Sequence, residues 1–226
     1  MVVISPHLDD AVFGCGQMLA AHPGSTVVTV FAGMPADAEQ VAEWDVRCGF
    51  ENAREAVTGR RDEDRKALAL LGARPLWLDF TDSQYGPAPS VDDIATVLRA
   101  VLRAFVGHRV LYPLGLFHSD HRLVHEASAA ALTEHPNDQV LVYEDALYRA
   151  LPRLLQARLA ELLQRGIAAT PIPIAMKTDA TDAGRKTRAV SAYASQLRAF
   201  GPGGYADVEQ PERCWRLESI VEGAAG

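Results

Sequence analysis

Short apolar runs alternate along this chain with longer stretches in which apolar residues recur every three or four positions, and that alternation predicts the architecture. Val2 to Ser5 is a continuous run of the kind buried in parallel sheets. Asp9 or Asp10 can then cap a helix passing through Met18 and Leu19 to a stop at His22-Pro23-Gly24. Thr26 to Phe31 is β-branched almost throughout and predicts a second strand. A helical stretch follows from about Gln40 to Leu71, interrupted near Gly49 and again near Gly59 and stopped by Gly72. Leu76-Trp77-Leu78 predicts a third strand, with a loop from Asp79 to Ser90 behind it. Ile94, Val97, Leu98, Val101, Leu102 and Phe105 share one helical face, the clearest amphipathic helix in the chain.

Val110 to Tyr112 predicts strand four, Leu123 to Leu132 an Ala-rich helix ended by Pro136-Asn137, and Val140 to Tyr143 strand five. This rhythm is that of an α/β fold, with a Rossmann-like, mainly parallel sheet and helices on both faces. From Glu144 it is interrupted. Leu151, Leu154, Leu155, Leu159, Leu162 and Leu163 predict another helix, and Ile172 to Met176 a strand that Pro171 and Pro173 push to an edge. A helix from about Thr181 to Arg198, a mobile Gly- and Pro-rich loop from Gly201 to Gly204, and a strand at Cys214 to Leu217 closing the sheet edge complete the pattern. No repeat or linker divides the chain, so residues 1–226 are expected to form a single domain, with 144–180 an insertion on the substrate side.

Composition narrows the function classes. The chain has 226 residues, 48% of them hydrophobic, which is enough for one core, and its net charge of -7 argues against a nucleic-acid partner. The basic cluster Arg60-Arg61 with Arg65-Lys66 is interleaved with Asp62-Glu63-Asp64, as on a solvated helix face. Cys15, Cys48 and Cys214 are odd in number and far apart, with no C-x-x-C pair, so neither a disulfide framework nor a thiolate metal site is expected. No apolar stretch approaches the ~20 residues of a membrane span, and no basic leader precedes the first strand. A cytoplasmic enzyme without a membrane partner is the expectation. A homo-oligomer is compatible with the sequence but not required by it.

The chemistry gathers in two places. Ser5-Pro-His-Leu-Asp-Asp10 sits where the first strand hands over to a helix, and His118-Ser119-Asp120-His121 follows the fourth strand. The carboxyl ends of strands are where open α/β sheets bind ligands, and His with Asp are the ligand types of a catalytic zinc. Asp120 is a natural partner to orient a histidine through its ring N–H, or else a cap for the helix beginning at His121. His22, His108, His125 and His135 read as structural or solvated, although His125 lies four residues after His121, a spacing that can chelate. Gly14-x-Gly16 lacks the third glycine of a dinucleotide site.

Together with Arg60-x-x-Glu63 and Lys186-x-x-Ala189-x-x-x-Tyr193-x-Ser195-Gln196, these motifs resemble the PIG-L, or LmbE-like, family of zinc-dependent N-deacetylases over nearly the whole chain. The resemblance implies a Rossmann-like fold and hydrolysis of an N-acyl group, usually the acetamide of an N-acetylglucosamine unit. It also implies a divalent ion, zinc first among them, on His7, Asp10 and His121. That leaves Asp9 as general base, His118 as an imidazolium serving the oxyanion or the leaving amine, and Asp120 as the carboxylate that orients a histidine. Zinc would lower the pKa of bound water to about 7 and polarise the amide carbonyl. Arg60 and Asp82 match positions that reach sugar hydroxyls in the family, the alternative for Arg60 being a surface pair with Asp62 or Asp64. The Lys186–Gln196 motif reads as helix packing with satisfied polar groups. The first motif departs from the family's Pro-Asp-Asp-Glu at Leu8 and Ala11, the latter removing a carboxylate beside the site. The expected function is therefore a metal-dependent hydrolase of an N-acetylated amino sugar, free or on a small metabolite. The rivals are an amidase on a non-sugar amide such as a thiol conjugate, or a metal-containing sugar-binding module without turnover.

Overall fold

Five short strands pair in parallel to make the body of one sheet: β1 Val2–Ser5, β2 Thr26–Thr29, β3 Arg74–Trp77, β4 Val110–Pro113 and β5 Val140–Tyr143. The computed structural model describes residues 1–133, 135, 139–173, 180–201 and 204–220. Strands β6 Ile167–Ile172 and β7 Cys214–Ser219 complete a seven-stranded sheet in the order β3-β2-β1-β4-β5-β7-β6, joined antiparallel. The succession runs outward from β1 in one direction through β2 and β3, and in the other through β4 and β5. The crevice at the carboxyl ends of β1 and β4 is therefore the switch point at which such sheets bind ligands.

Helices cover both faces, as the alternation predicts. On one side α1 Asp10–Ala21, α3 Ala53–Leu71 and α7 Ala180–Ser191 pack around Phe13, Leu19, Leu68, Leu71 and Tyr143. On the other, α4 Val91–Leu102 and α5 Ser119–Ala131 close over Val2, Ile4, Val28, Ile94 and Leu98. Strands β1, β2, β4 and β5 are buried from both faces, which explains their nearly unbroken apolar character. A short helix α2 Glu43–Cys48, then α6 Leu154–Gln164 and α8 Ala194–Phe200, complete the set, and no helix among the described residues is long and apolar enough to cross a membrane.

Several boundaries differ from the sequence reading. Gly49, at φ 90°, ends α2 as expected, but α3 runs straight through Gly59, whose missing Cβ leaves room for the Phe50 ring; a Cβ there would lie 2.8 Å from it. The expected helix from Thr181 to Arg198 is two helices. It breaks because Tyr193 turns inward, donating from its hydroxyl to Asp64 (2.8 Å) and edging the Phe13 ring. The strand at Cys214 does not close the sheet: β6 takes the edge, where Pro171 can be tolerated, and β7 is inserted between β5 and β6. That edge strand begins at Ile167 and ends at Ile172; residues 174–176 of the predicted strand, Pro136-Asn137 and Pro202-Gly203 lie outside the described residues.

The Lys-Tyr-Ser-Gln motif turns out to be largely scaffold. Lys186 donates from Nζ to Glu212 (2.9 Å) and to the Phe13 carbonyl (3.0 Å), fully inside the core. Ser195 donates through N–H and Oγ to Glu63, which ties α8 to α3.

Candidate active site

The two sequence motifs meet. β1 ends in Ser5, whose Oγ donates to the His7 carbonyl (2.6 Å) and accepts from the Ala11 N–H (3.0 Å), folding Pro6 to Asp10 into a tight turn at the start of α1. Asp9 stands at the N-cap position but makes no capping bond, so its buried carboxyl remains available to the cavity. Asp10 accepts from the His7 N–H (2.9 Å) and faces His7 Nδ1 and His121 Nε2, each at 3.2 Å. His121 comes from the first turn of α5, after β4.

His7, Asp10 and His121 bring ligand atoms within 4.8 Å of one another, and so do His7, His118 and Asp120. The local bonding favours the first set for a cation. Asp145 Oδ1 lies 2.6 Å from His121 Nδ1, and Asp120 Oδ2 lies 3.1 Å from His7 Nε2. Each imidazole thus has a carboxylate behind it and Asp10 in front. With the rear nitrogen donating to the rear carboxylate, the front nitrogen can meet Asp10 across either a proton or a divalent cation. Carboxylates in just this position orient metal-binding histidines. A donor set of two imidazoles and one carboxylate fits zinc and other divalent first-row ions.

The charges respond as such packing requires. Burial lowers the His121 pKa, but Asp10 and Asp145 outweigh it and bring it to about 9. Asp10 is opposed by burial yet held well below the usual carboxylate range by His121 and His7. Asp9 is pushed up to about 7 by burial and by the charge of Asp10. Two adjacent carboxyls are thus driven apart, one locked as an anion and one poised to exchange a proton near neutrality.

His118 borders the cavity and caps α5 itself: its Nδ1 accepts the Asp120 N–H (3.2 Å). Burial, then His7 and His121, lower its pKa. With Nδ1 accepting, the proton of the neutral ring sits on Nε2, so the environment favours a neutral donor over the imidazolium read from sequence. The capping alternative for Asp120 is not realised, because α5 begins at Ser119 with His118 as its cap and Asp120 lies inside the first turn, its Oδ2 facing His7 and accepting from the Ser83 N–H and Oγ. His125 does not chelate; it is buried, with Nδ1 2.9 Å from the Pro113 carbonyl.

The cavity measures about 370 Å³ and is lined by His7, Asp9, Asp10, Arg60, Asp82, His118 and His121 together with Trp44, Tyr85, Leu147, Tyr148, Gln196 and Phe200. Arg60 lies in the middle of α3, not at a helix end, and its partner is neither Asp62 nor Asp64. It donates to the fully buried Asp45 (2.7 Å), which also accepts the Tyr85 hydroxyl (2.8 Å). The basic cluster on α3 is accordingly only partly a solvated face. Asp82 caps the 3-10 turn Ser83–Tyr85 by accepting from the Gln84 N–H, and lies 3.7 Å from His7 Nε2. Ala11 is buried in the apolar cluster of α1, with no polar side chain in the family's glutamate position.

Asp45 and Asp145 escaped the sequence reading. Asp145 had a readable signal, since it follows β5 by two residues and so occupies the same carboxyl edge as the motifs after β1 and β4. Asp45 had none: α2 is six residues long with no apolar period.

The model of the PIG-L family, described as GlcNAc-PI de-N-acetylase, matches residues 2–132, more than half the chain and both candidate metal-ligand groups. The chain belongs to the PIG-L family. Among solved structures, a pseudoaglycone deacetylase of the antimicrobial reagent A40926, Dbv21, is 25% identical with a TM-score of 0.76, covering 97% of each chain. N,N'-diacetylchitobiose deacetylase from Pyrococcus horikoshii is 18% identical with a TM-score of 0.57, covering 97% of this chain and 83% of that one. The same fold also carries GalB, a 4-carboxy-2-hydroxymuconate hydratase from Pseudomonas putida, at 19% identity and a TM-score of 0.56, over 97% and 95% of the two chains. No curated protein matches the chain. Family membership thus supports an amide hydrolase, while the hydratase shows that the fold alone does not choose the reaction.

Proposed function

We propose that this PIG-L protein is a metal-dependent N-deacetylase acting on an N-acetylglucosamine-type sugar, free or attached to a small metabolite. The observation that carries the reading is the pairing of Asp9, free of capping bonds and at about 7, with the His7–Asp10–His121 donor set beside it. A divalent ion held there, zinc as first choice with iron or cobalt compatible, would acidify a water and polarise the acetamide carbonyl. Asp9 accepts the proton of the attacking water and is placed to return it to the departing amine. His118 donates from Nε2 to the oxygen that gathers negative charge. Asp120 and Asp145 hold the rings of His7 and His121 in register. Arg60 and Asp82 are the proposed contacts to sugar hydroxyls, supported by their places on the cavity wall. Residues 144–180 are proposed to supply the substrate side, which Leu147 and Tyr148 support. Three buried, unpaired cysteines support a reducing, cytoplasmic setting, with a small amino sugar rather than nucleic acid as partner.

A panel of substrates tests the reading against its rivals. Acetate release should be fastest from N-acetylglucosaminides and slow from N-acetylated amines without hydroxyls. Faster turnover of a non-sugar amide would move the assignment to an amidase, and tight sugar binding without acetate would leave a binding module.

A further inference from the structure

Beside Tyr148, which lines the cavity, an aromatic residue stands largely exposed. Phe117 is 63% exposed and sits at φ 57°, in the left-handed region that favours glycine or asparagine. For a bulky side chain that conformation is strained and persists only where the surroundings impose it. Here they do. Asp145 accepts the N–H groups of Gly115 and Leu116 (3.0 Å each), and the His118 N–H closes back on the Leu116 carbonyl (2.7 Å).

The ring held out in this way is not isolated. It stacks on Tyr148 at 5.3 Å and 30°, and Tyr148 in turn lies parallel to His118 (6.5 Å, 29°) and edge-on to His121 (5.2 Å, 84°). A continuous aromatic surface therefore leads from the candidate catalytic residues to solvent, and Asp145 fixes both of its ends, the Phe117 loop and the His121 ring.

We propose that Phe117 and Tyr148 form a stacking ledge that binds a flat apolar group, an aromatic ring above all, carried by the substrate next to the amide that is hydrolysed. The inference rests on the deacetylase reading and adds to it a preference for aryl-bearing amino sugars. Such a group has two sources, an aryl aglycone or an aromatic acyl chain, and aromatic stacking is the recognition chemistry shared by both.

The test compares phenyl with methyl N-acetyl-β-glucosaminide, and N-benzoyl- with N-acetylglucosamine, in wild type, Phe117→Gly and Phe117→Leu. Glycine suits the left-handed backbone, so that variant should fold at least as well as wild type, and leucine keeps an apolar side chain without the π face. One of the two kcat/KM ratios should fall about tenfold in Phe117→Gly and by less in Phe117→Leu, and the ratio that falls names the source. The calorimetric Kd of the aromatic ligand whose ratio falls, measured in an Asp9→Asn background, should weaken by the same factor. If wild type hydrolyses no amino sugar while Kd still depends on Phe117, the ledge stands and the deacetylase reading falls. If wild type turns over the methyl compound but both ratios and both Kd values ignore Phe117, the ledge is wrong and the deacetylase reading survives. Dissociation of an oligomer by Phe117→Gly, with both ratios unchanged, would overturn the ledge in favour of a subunit contact.

Discussion

Two parts of the chain build the cavity in different ways. From β1 to α5, residues 2–131, the proposed reactive groups stand at or near the carboxyl ends of parallel strands: His7, Asp9 and Asp10 after β1, Asp82 after β3, His118, Asp120 and His121 after β4. From β5 onward the chain adds walls and braces instead: Asp145 behind His121, and Leu147, Tyr148, Gln196 and Phe200 in the cavity wall. Strand order delivers the first group, because β1 and β4 are neighbours at the switch point. The second group arrives through long-range side-chain bonds, such as Trp44 Nε1 to Gln196 Oε1 (3.0 Å). The contrast teaches that the reaction belongs to the strand ends and its fine adjustment to what packs against them.

Removing chemistry from the first part should break the protein's activity most completely. His7→Ala, Asp10→Ala and His121→Ala should each abolish metal binding and turnover together, read by elemental analysis and acetate release. A variant with full metal and full rate would strike that residue from the ligand set. Next in size, Asp9→Asn should keep its metal and lose ~10²-fold or more in kcat, the range for loss of a general base. Activity within a few-fold of wild type would move the base elsewhere.

A brace from the second part should matter less. Asp145→Asn can no longer hold a charge behind His121, and a ~10–100-fold loss in metal affinity is expected from chelator competition. An unchanged affinity would show that the two parts are not coupled through this carboxylate. Arg60→Ala and Asp82→Ala should raise KM for an N-acetylglucosaminide and affect a minimal N-acyl amine much less. Equal losses on both substrates would assign these residues to the shape of the site.

The smallest effect concerns the seam between the parts. Asp64 on α3 accepts from Tyr193 (2.8 Å) and from Trp77 (2.7 Å), yet burial dominates and raises its pKa from 3.8 to about 7. A raised folded-state pKa means that the native protein holds the proton more tightly than the unfolded chain does. The stabilisation is complete below about 4 and is lost as pH rises through about 7. The melting-temperature advantage of wild type over Asp64→Asn should therefore be larger at pH 5 than at pH 8, and an advantage that grows toward pH 8 would contradict the assignment.

How far the sequence could be read follows the same division. β1 and β5 were legible to the residue because a strand buried on both faces must be apolar throughout, and α4 because its apolar stripe faces the sheet. The first motif and its partner after β4 were legible because the parallel alternation makes them neighbours. Arg60 lines the cavity, but its partner was not legible, since Asp45 is fifteen residues away on a helix with no apolar period. The break at Tyr193 depends on a hydrogen bond to a residue more than a hundred positions earlier, and no local pattern encodes that. The position of β7 inside the sheet is a pairing choice between β5 and β6, which composition leaves open.

Hydrolysis should depend on one cation held by His7, Asp10 and His121, and stripping the protein with a chelator, then titrating zinc back while following acetate release from an N-acetylglucosaminide, decides this. The chelated protein should stay folded and inactive, and activity should rise linearly to a break at one ion per chain. Full activity in the chelated protein, or a fully loaded protein that releases no acetate from any amide, would contradict it.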